Sequence, residues 1–309
     1  MTEPSSQYCH QENGPAMYQV IFGLRLGFVL GLFLISPVAA SADVLPRISP
    51  PERGFDAERL RRIDSAISRS IRSGEIPGAV VLVGRRGGIV FEAALGKRSI
   101  EPTSEPMTLD TIFDMASLTK PIATATSVMI LIEEGTIRLS DSVVRHLPEF
   151  NNHGKDAITV EQLLRHRSGL IADNPQSDFD QGPEASWKRI SEIDLISKPG
   201  EKYLYSDVGF LVLGRLVERV SGKSLDEFSQ DRIFRVLGMN DTQFRPTAMG
   251  RGNLSEPREI FARIAPTTRI APDQPILKGV VHDPRARALG GVAGHAGLFA
   301  TADDLAIYA

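Results

Sequence analysis

Residues 113–120 read Phe-Asp-Met-Ala-Ser-Leu-Thr-Lys, and the chain then runs through an apolar stretch to Glu134 and Gly135. Ile122, Val128, Met129, Leu131 and Ile132 carry a helical rhythm, and Gly135 supplies a stop. Ser117 and Lys120 therefore stand one turn apart on one helix face. A serine in the first turn meets the positive end of the helix dipole. A lysine one turn on can take its hydroxyl proton if burial disfavours the ammonium. The four letters alone are weak, because an N-cap serine followed by a solvated lysine spells them equally well.

Upstream, Leu60, Ile63, Ile67 and Ile71 give a helix between Phe55 and Gly74. Two apolar runs, Ala79–Val83 and Ile89–Leu95, flank a glycine-rich turn and read as a β-hairpin. Near-continuous apolar strands predict cover on both faces, hence a layered α/β domain. The turn, Gly84 to Gly88, has neither the spacing nor the lysine of a phosphate loop. Downstream, Thr159 with Gln162 has the spacing of a capping box and opens a short helix to Arg165. Residues 171–186 read as a polar surface excursion. Helices follow from Val208 to Val220 and from Ser224 to Leu237, and the Pro-rich stretch 245–280 has little periodicity.

Composition narrows the function. The 309 residues are 42% apolar and 24% charged, enough for a sizeable core. Thirty-five basic against 38 acidic side chains give a net charge of -3, which argues against a nucleic-acid partner. One cysteine, Cys9, excludes a disulfide scaffold and a Cys-ligated zinc module. His146, His153 and His166 have no metal-binding spacing, and no metal is expected. The arginines at 59, 61, 62, 69 and 72 read as a solvated helix face.

The N-terminus carries Arg25, an apolar run from Leu26 to Ile35 and an Ala-x-Ala site at Ala40–Ala42. That order is the pattern of a secretory signal peptide. An uncleaved membrane anchor and a buried core helix are the alternatives, although the run is short for a spanning helix. Met17 is an alternative start. Residues 1–42 thus read as leader and signal, 43–54 as a Pro-rich linker, and 55–309 as one domain. Cleavage after Ala42 would also remove Cys9 and leave no thiol.

Around the Ser-x-x-Lys arrangement, a pattern of serine acyl-transfer enzymes, further segments stand in order. They are Ile158 to Leu170 with its Leu-Leu-Arg-His-Arg-Ser-Gly-Leu run, Pro199 to Asp207 ending in Tyr-Ser-Asp, Leu237 to Thr242, and Gly294 to Leu305. With them the chain, over residues 55–309, resembles the penicillin-recognising serine hydrolases of the class C β-lactamase type, a group that includes esterases, D-aminopeptidases and DD-carboxypeptidases. The resemblance implies a three-layer α/β/α sandwich with a mostly helical subdomain inserted between about residues 112 and 250. It implies Ser117 as nucleophile, Lys120 as its basic partner and Tyr205 as proton relay, with no cofactor. The implied substrates are small molecules or peptidoglycan peptides: D-Ala peptides, β-lactams or esters, met in the periplasm or outside the cell.

Asp207 stands where the family pattern has an asparagine. An ionised aspartate accepts but cannot donate. It either faces the substrate, repelling a carboxylate and favouring an N–H donor, or pairs with a lysine. His295-Ala296-Gly297 mimics the family's third motif, yet Phe299 to Leu305 belongs to an earlier segment that opens a helix and is not a strand, so His295 is placed on the wall of the site. The loop Gly279–Gly291, with His282 and Asp283, is expected to line or support the cleft. The third motif itself would lie beyond Ala309, so the resemblance also implies a chain truncated at its C-terminus. Such a chain would lack one oxyanion donor, and its alternative role is a cell-wall ligand-binding module. Exported protein should begin at Asp43, as read by N-terminal sequencing; a membrane fraction that retains Arg25 would identify the apolar run as an anchor instead.

Overall fold

Ser206 starts the helix on which the interior is built. Its hydroxyl accepts from Gly209 N and donates to Ile171 O at 2.6 Å, so one side chain both caps the helix and ties it to a neighbouring loop. The computed structural model describes residues 45–245 and 258–309. The stretch read as leader and signal lies outside these residues. Among the described residues no helix is long and apolar enough to cross a membrane.

Helices α1 (Ala57–Leu60) and α2 (Arg62–Arg72) precede the expected hairpin, β1 (Gly78–Gly84) and β2 (Ile89–Ser99), with Val81 opposite Ala93. A short β3 (Glu105–Pro106) pairs with β2. The five arginines at 59, 61, 62, 69 and 72 are exposed. Strand β1 stays half-buried along its length, less covered than its apolar sequence implied. The stretch read as a linker is docked in its described part. Ile48 N donates to Ile89 O, Ile89 N donates to Pro46 O, and Arg47 bridges Glu92 and Asp303.

A second sheet joins β4 (Phe113–Asp114) and β5 (Gln243–Phe244) to a central β6 (Leu298–Ala300). Residues 298–300 are thus a strand, which corrects in part the reading of this segment as a helix opening only. The helix does follow as α11 (Ala302–Tyr308), capped by Thr301, and it packs on β1. Between β4 and β5 in the chain lies the mostly helical part. Its members are α3 (Thr126–Glu133), α4 (Val160–Leu164), α5 (Pro183–Ser191), α6 (Asp207–Ser221), α7 (Leu225–Ser229) and α8 (Arg235–Leu237). The Thr159–Gln162 capping box is present on α4. Helix α5 and the buried Phe179 show that the stretch read as a polar excursion contributes to the core. Helix α9 (Arg258–Arg263) starts inside the stretch read as aperiodic, and α10 (Pro284–Ala288) follows it.

Nearly every face of α6 is covered. Val208, Phe210, Val212, Leu213, Leu216 and Val217 are buried, and the helix packs on α3, α4 and α7. At about 1.5–3 kcal/mol per large apolar side chain, this helix anchors the interior. The segment carrying Ser117 is fastened to residues 294–298 by four bonds. Met115 N donates to Leu298 O, Leu298 N to Thr119 Oγ1, Lys120 Nζ to His295 O, and Thr124 Oγ1 to Gly294 O.

Gly169 turns the chain after α4 at φ +81°, where an added Cβ would sit 2.2 Å from Ser197 O. Left-handed strain and overpacking combine there. Gly169→Ala should therefore cost about 2–4 kcal/mol in a urea titration. Gly222→Ala, also left-handed but with nothing within 4 Å, should cost only about 1 kcal/mol.

Candidate active site

Ser117 follows Ala116, whose φ of +43° breaks the backbone just before the hydroxyl. Asp114 stabilises that turn, because its Oδ1 accepts from Ala116 N at 2.8 Å. The helix beyond is wide at first, a π turn over Lys120–Ala125, before α3 begins. Lys120 is 2% exposed and lies under the turn. Its Nζ donates to Ser117 Oγ at 2.9 Å and to His295 O at 3.2 Å, and forms an ion pair with Asp207 Oδ1 at 2.7 Å. Two of the ammonium's contacts are hydrogen bonds, and the third is the charge of the Asp207 carboxylate.

The sequence left two roles open for Asp207, and the structure takes the lysine partner. Asp207 is the first residue of α6, where the helix dipole favours a carboxylate. Tyr205 precedes it by two residues. The centre of the Tyr205 ring lies 4.8 Å from Lys120 Nζ, and the ring packs on His166 at 4.4 Å between centroids. Tyr205 is 44% exposed, so its phenol reaches solvent while its ring is anchored. Sequence reasoning assigned His166 no role at the site. Its Nδ1 accepts from Ser206 N at 3.0 Å, which fixes the bend between Tyr205 and α6. Burial, with Lys120 adding to it, pushes the His166 ring below the ordinary histidine range. The only signal was its place inside the Leu-Leu-Arg-His-Arg-Ser-Gly-Leu run.

His295 is buried, so its ring lines the interior behind the site and presents no face to a substrate. That corrects its placement as a substrate-contacting wall residue. Its ring Nε2 lies 3.0 Å from Asp283 Oδ1. The Gly279–Gly291 loop supports the site as expected: His282 N donates to Asp114 Oδ2 and Asp283 caps α10. Asp207, Asp283 and His295 bring ligand-type atoms within 4.8 Å of one another; the His295 ring meets Asp283 through Nε2, and Asp207 forms the ion pair with Lys120. A cavity of about 440 Å³ between α5, α6 and residues 288–294 does not reach Ser117, Lys120 or Tyr205.

A sequence profile described as Beta-lactamase matches residues 63–309. The chain belongs to the β-lactamase family. The family's serine hydrolases share the α/β sandwich with its helical insertion. One relative, provisionally named a D-alanyl-D-alanine carboxypeptidase in Salmonella agona, is 32% identical over 90% of this chain and 70% of its own length. An N-acetylmuramyl-L-alanine amidase of Bacillus subtilis is 33% identical over 82% of this chain and 62% of its own. A class C β-lactamase structure superposes with a TM-score of 0.65 at 22% identity, over 82% of this chain and 65% of that one. The family protein described here thus spans less than the full length of each of these relatives.

Burial alone would raise the Asp283 carboxyl. The His295 contact and the α10 amides more than offset it and hold the group down to about 2. A depressed carboxyl stabilises the fold fully above its unfolded value and loses that contribution as pH falls through the folded one. Asp283→Asn should therefore flatten the acid limb of the stability curve between about pH 4 and pH 2, a difference of about 2 kcal/mol, read from urea midpoints against pH.

Proposed function

We propose that the protein is an exported serine hydrolase that forms an acyl-enzyme on Ser117 with amide, lactam or ester substrates of the cell-wall type. The 2.9 Å contact between Lys120 Nζ and Ser117 Oγ carries this reading, since it couples a buried cation to a hydroxyl at a strained turn. The names of the Salmonella and Bacillus relatives support a cell-wall peptide as the substrate class. The signal-like leader supports export.

In the resting geometry Lys120 donates to Oγ, so the serine proton needs another acceptor. Tyr205, with its ring beside Nζ, is the titratable neighbour for it. Oγ attacks the carbonyl carbon, and the tetrahedral oxyanion is met by backbone N–H groups, that of Ser117 among them. The proton passes through the Tyr205–Lys120 pair to the leaving amine or alkoxide as the C–N or C–O bond breaks. Water then attacks the ester carbonyl, and Oγ recovers its proton by the reverse route. Asp207 keeps the lysine's charge compensated throughout.

A fluorescent penicillin should label the wild-type chain covalently, and Ser117→Ala should lose the label entirely. Parallel assays with p-nitrophenyl acetate, nitrocefin and a D-Ala-D-Ala peptide sort the substrate class. Equal labelling of both proteins would remove Ser117 as nucleophile, and no labelling with no turnover of any substrate would favour a ligand-binding role.

A further inference from the structure

Contacts around Ser117 close into a circuit. Ser117 Oγ accepts from Lys120 Nζ, which also donates to His295 O. The ring of that same histidine meets Asp283, and the neighbouring His282 N donates to Asp114 Oδ2 at 2.7 Å. The other oxygen of Asp114 accepts from Ala116 N, one residue before Ser117. Asp283 is a carboxylate at working pH and can only accept, so Nε2 of His295 must donate to it. The remaining ring nitrogen, Nδ1, is buried without a hydrogen-bond partner. One contact therefore orients the His295 ring, and the same residue's carbonyl orients the lysine.

We infer that Asp283 and His295 form a positioning dyad: the carboxylate locks the imidazole, and the locked residue presents its main-chain oxygen to Lys120. This inference rests on the reading of Ser117 and Lys120 as the reacting pair. The dyad touches no substrate. Asp283 is placed for the task because the N-cap of α10 and the His282–Asp114 bond fix its backbone, so the ring is held from a rigid base. Without Asp283, a 99% buried imidazole would have an unpaired donor and an unpaired second nitrogen. Such a group must turn to find partners. Where the turned ring finds no room, the strain falls on the main chain at residue 295, whose carbonyl accepts from Nζ.

Asp283 has two jobs, and one substitution separates them. Serine also caps a helix but is too short to reach His295. Asp283→Ser should lower the thermal midpoint less than Asp283→Ala, because it loses the His295 contact but keeps the cap. Both should lose kcat toward p-nitrophenyl acetate by roughly 10- to 100-fold with KM within about twofold, the scale of a misplacement near 1 Å. His295→Leu, which leaves the cap intact, should lose the same amount, and the Asp283→Ser/His295→Leu double variant should lose no more than either. Crystal structures of wild type and Asp283→Ser should show the Lys120 Nζ–His295 O contact kept in the first and broken in the second. Recovery of kcat in Asp283→Ser would reduce Asp283 to a helix cap and overturn the dyad, as would unchanged kcat in His295→Leu. If the wild-type chain hydrolyses none of the substrates, the hydrolase reading fails by itself. The dyad is then decided by the crystal comparison alone, and an unchanged contact overturns it.

Discussion

A buried ammonium sets the terms for this protein. Taking Lys120 out of water costs several kcal/mol unless its protons are met. The three oxygens around Nζ, two hydrogen-bonded and one in an ion pair, come from three separate stretches of chain. Ser117 lies on its own helix, Asp207 opens α6, and His295 lies in the segment leading to β6, 175 residues away. Satisfying one nitrogen therefore fixes the mutual placement of the segment that carries Ser117, the core helix α6 and the sheet of β6. The apolar residues of α6 supply the bulk of the attraction, and the lysine supplies the registration. Thr119 and Thr124 reinforce it, since their hydroxyls bond Leu298 N and Gly294 O on either side of His295.

The same constraint distributes charge. Asp207 compensates Lys120, so the positive end of the pair is spent inside the protein. Further out, Asp173 shares the environment of Asp207, Asp283 and Arg285. Burial, and these neighbouring carboxylates after it, push the Asp173 carboxyl upward, while Arg285 pulls it down. The neighbourhood of the lysine is thus acidic rather than basic. It would not attract a carboxylate by field alone, and an acyl group with an N–H donor or a neutral ester meets less repulsion there.

What the sequence made legible was local. The Ser117–Lys120 spacing, the Thr159–Gln162 capping box, the hairpin around Gly84–Gly88 and helix α6 all follow from residues within a few turns of one another. Helix α5 was missed because it enters from Gly182-Pro183 and contributes only Trp187 and Ile190 to the apolar side, too few for a period. Strand β6 was read as a helix opening because three residues, Leu298 to Ala300, precede Thr301, and the cap is the stronger signal. The partners of Lys120 and Asp114 were beyond reach for a different reason. A bond between residues 168 or 175 apart depends on how whole elements pack, and no periodicity encodes it. For Asp207 the letters left two roles open, and only the fold placed its carboxylate against the lysine.

Substrate choice belongs to another part of the chain. Every strong contact at the site fixes Ser117, Lys120 and the Tyr205 ring. Amide, lactam and ester all present the same carbonyl to Oγ, so a frame built this way is indifferent to which one arrives. Discrimination must come from surfaces that meet the groups flanking that carbonyl. The nearest candidates are the loops between α4 and α6 and the stretch that leads into α10, which Arg285 joins by bonding Asn174 O and pairing with Asp173. Within these loops, residues that do not touch Ser117, Lys120, Tyr205, His166 or Asp283 can change length and charge without disturbing those contacts. A fold organised around one buried cation can therefore carry different specificities on the same chemistry.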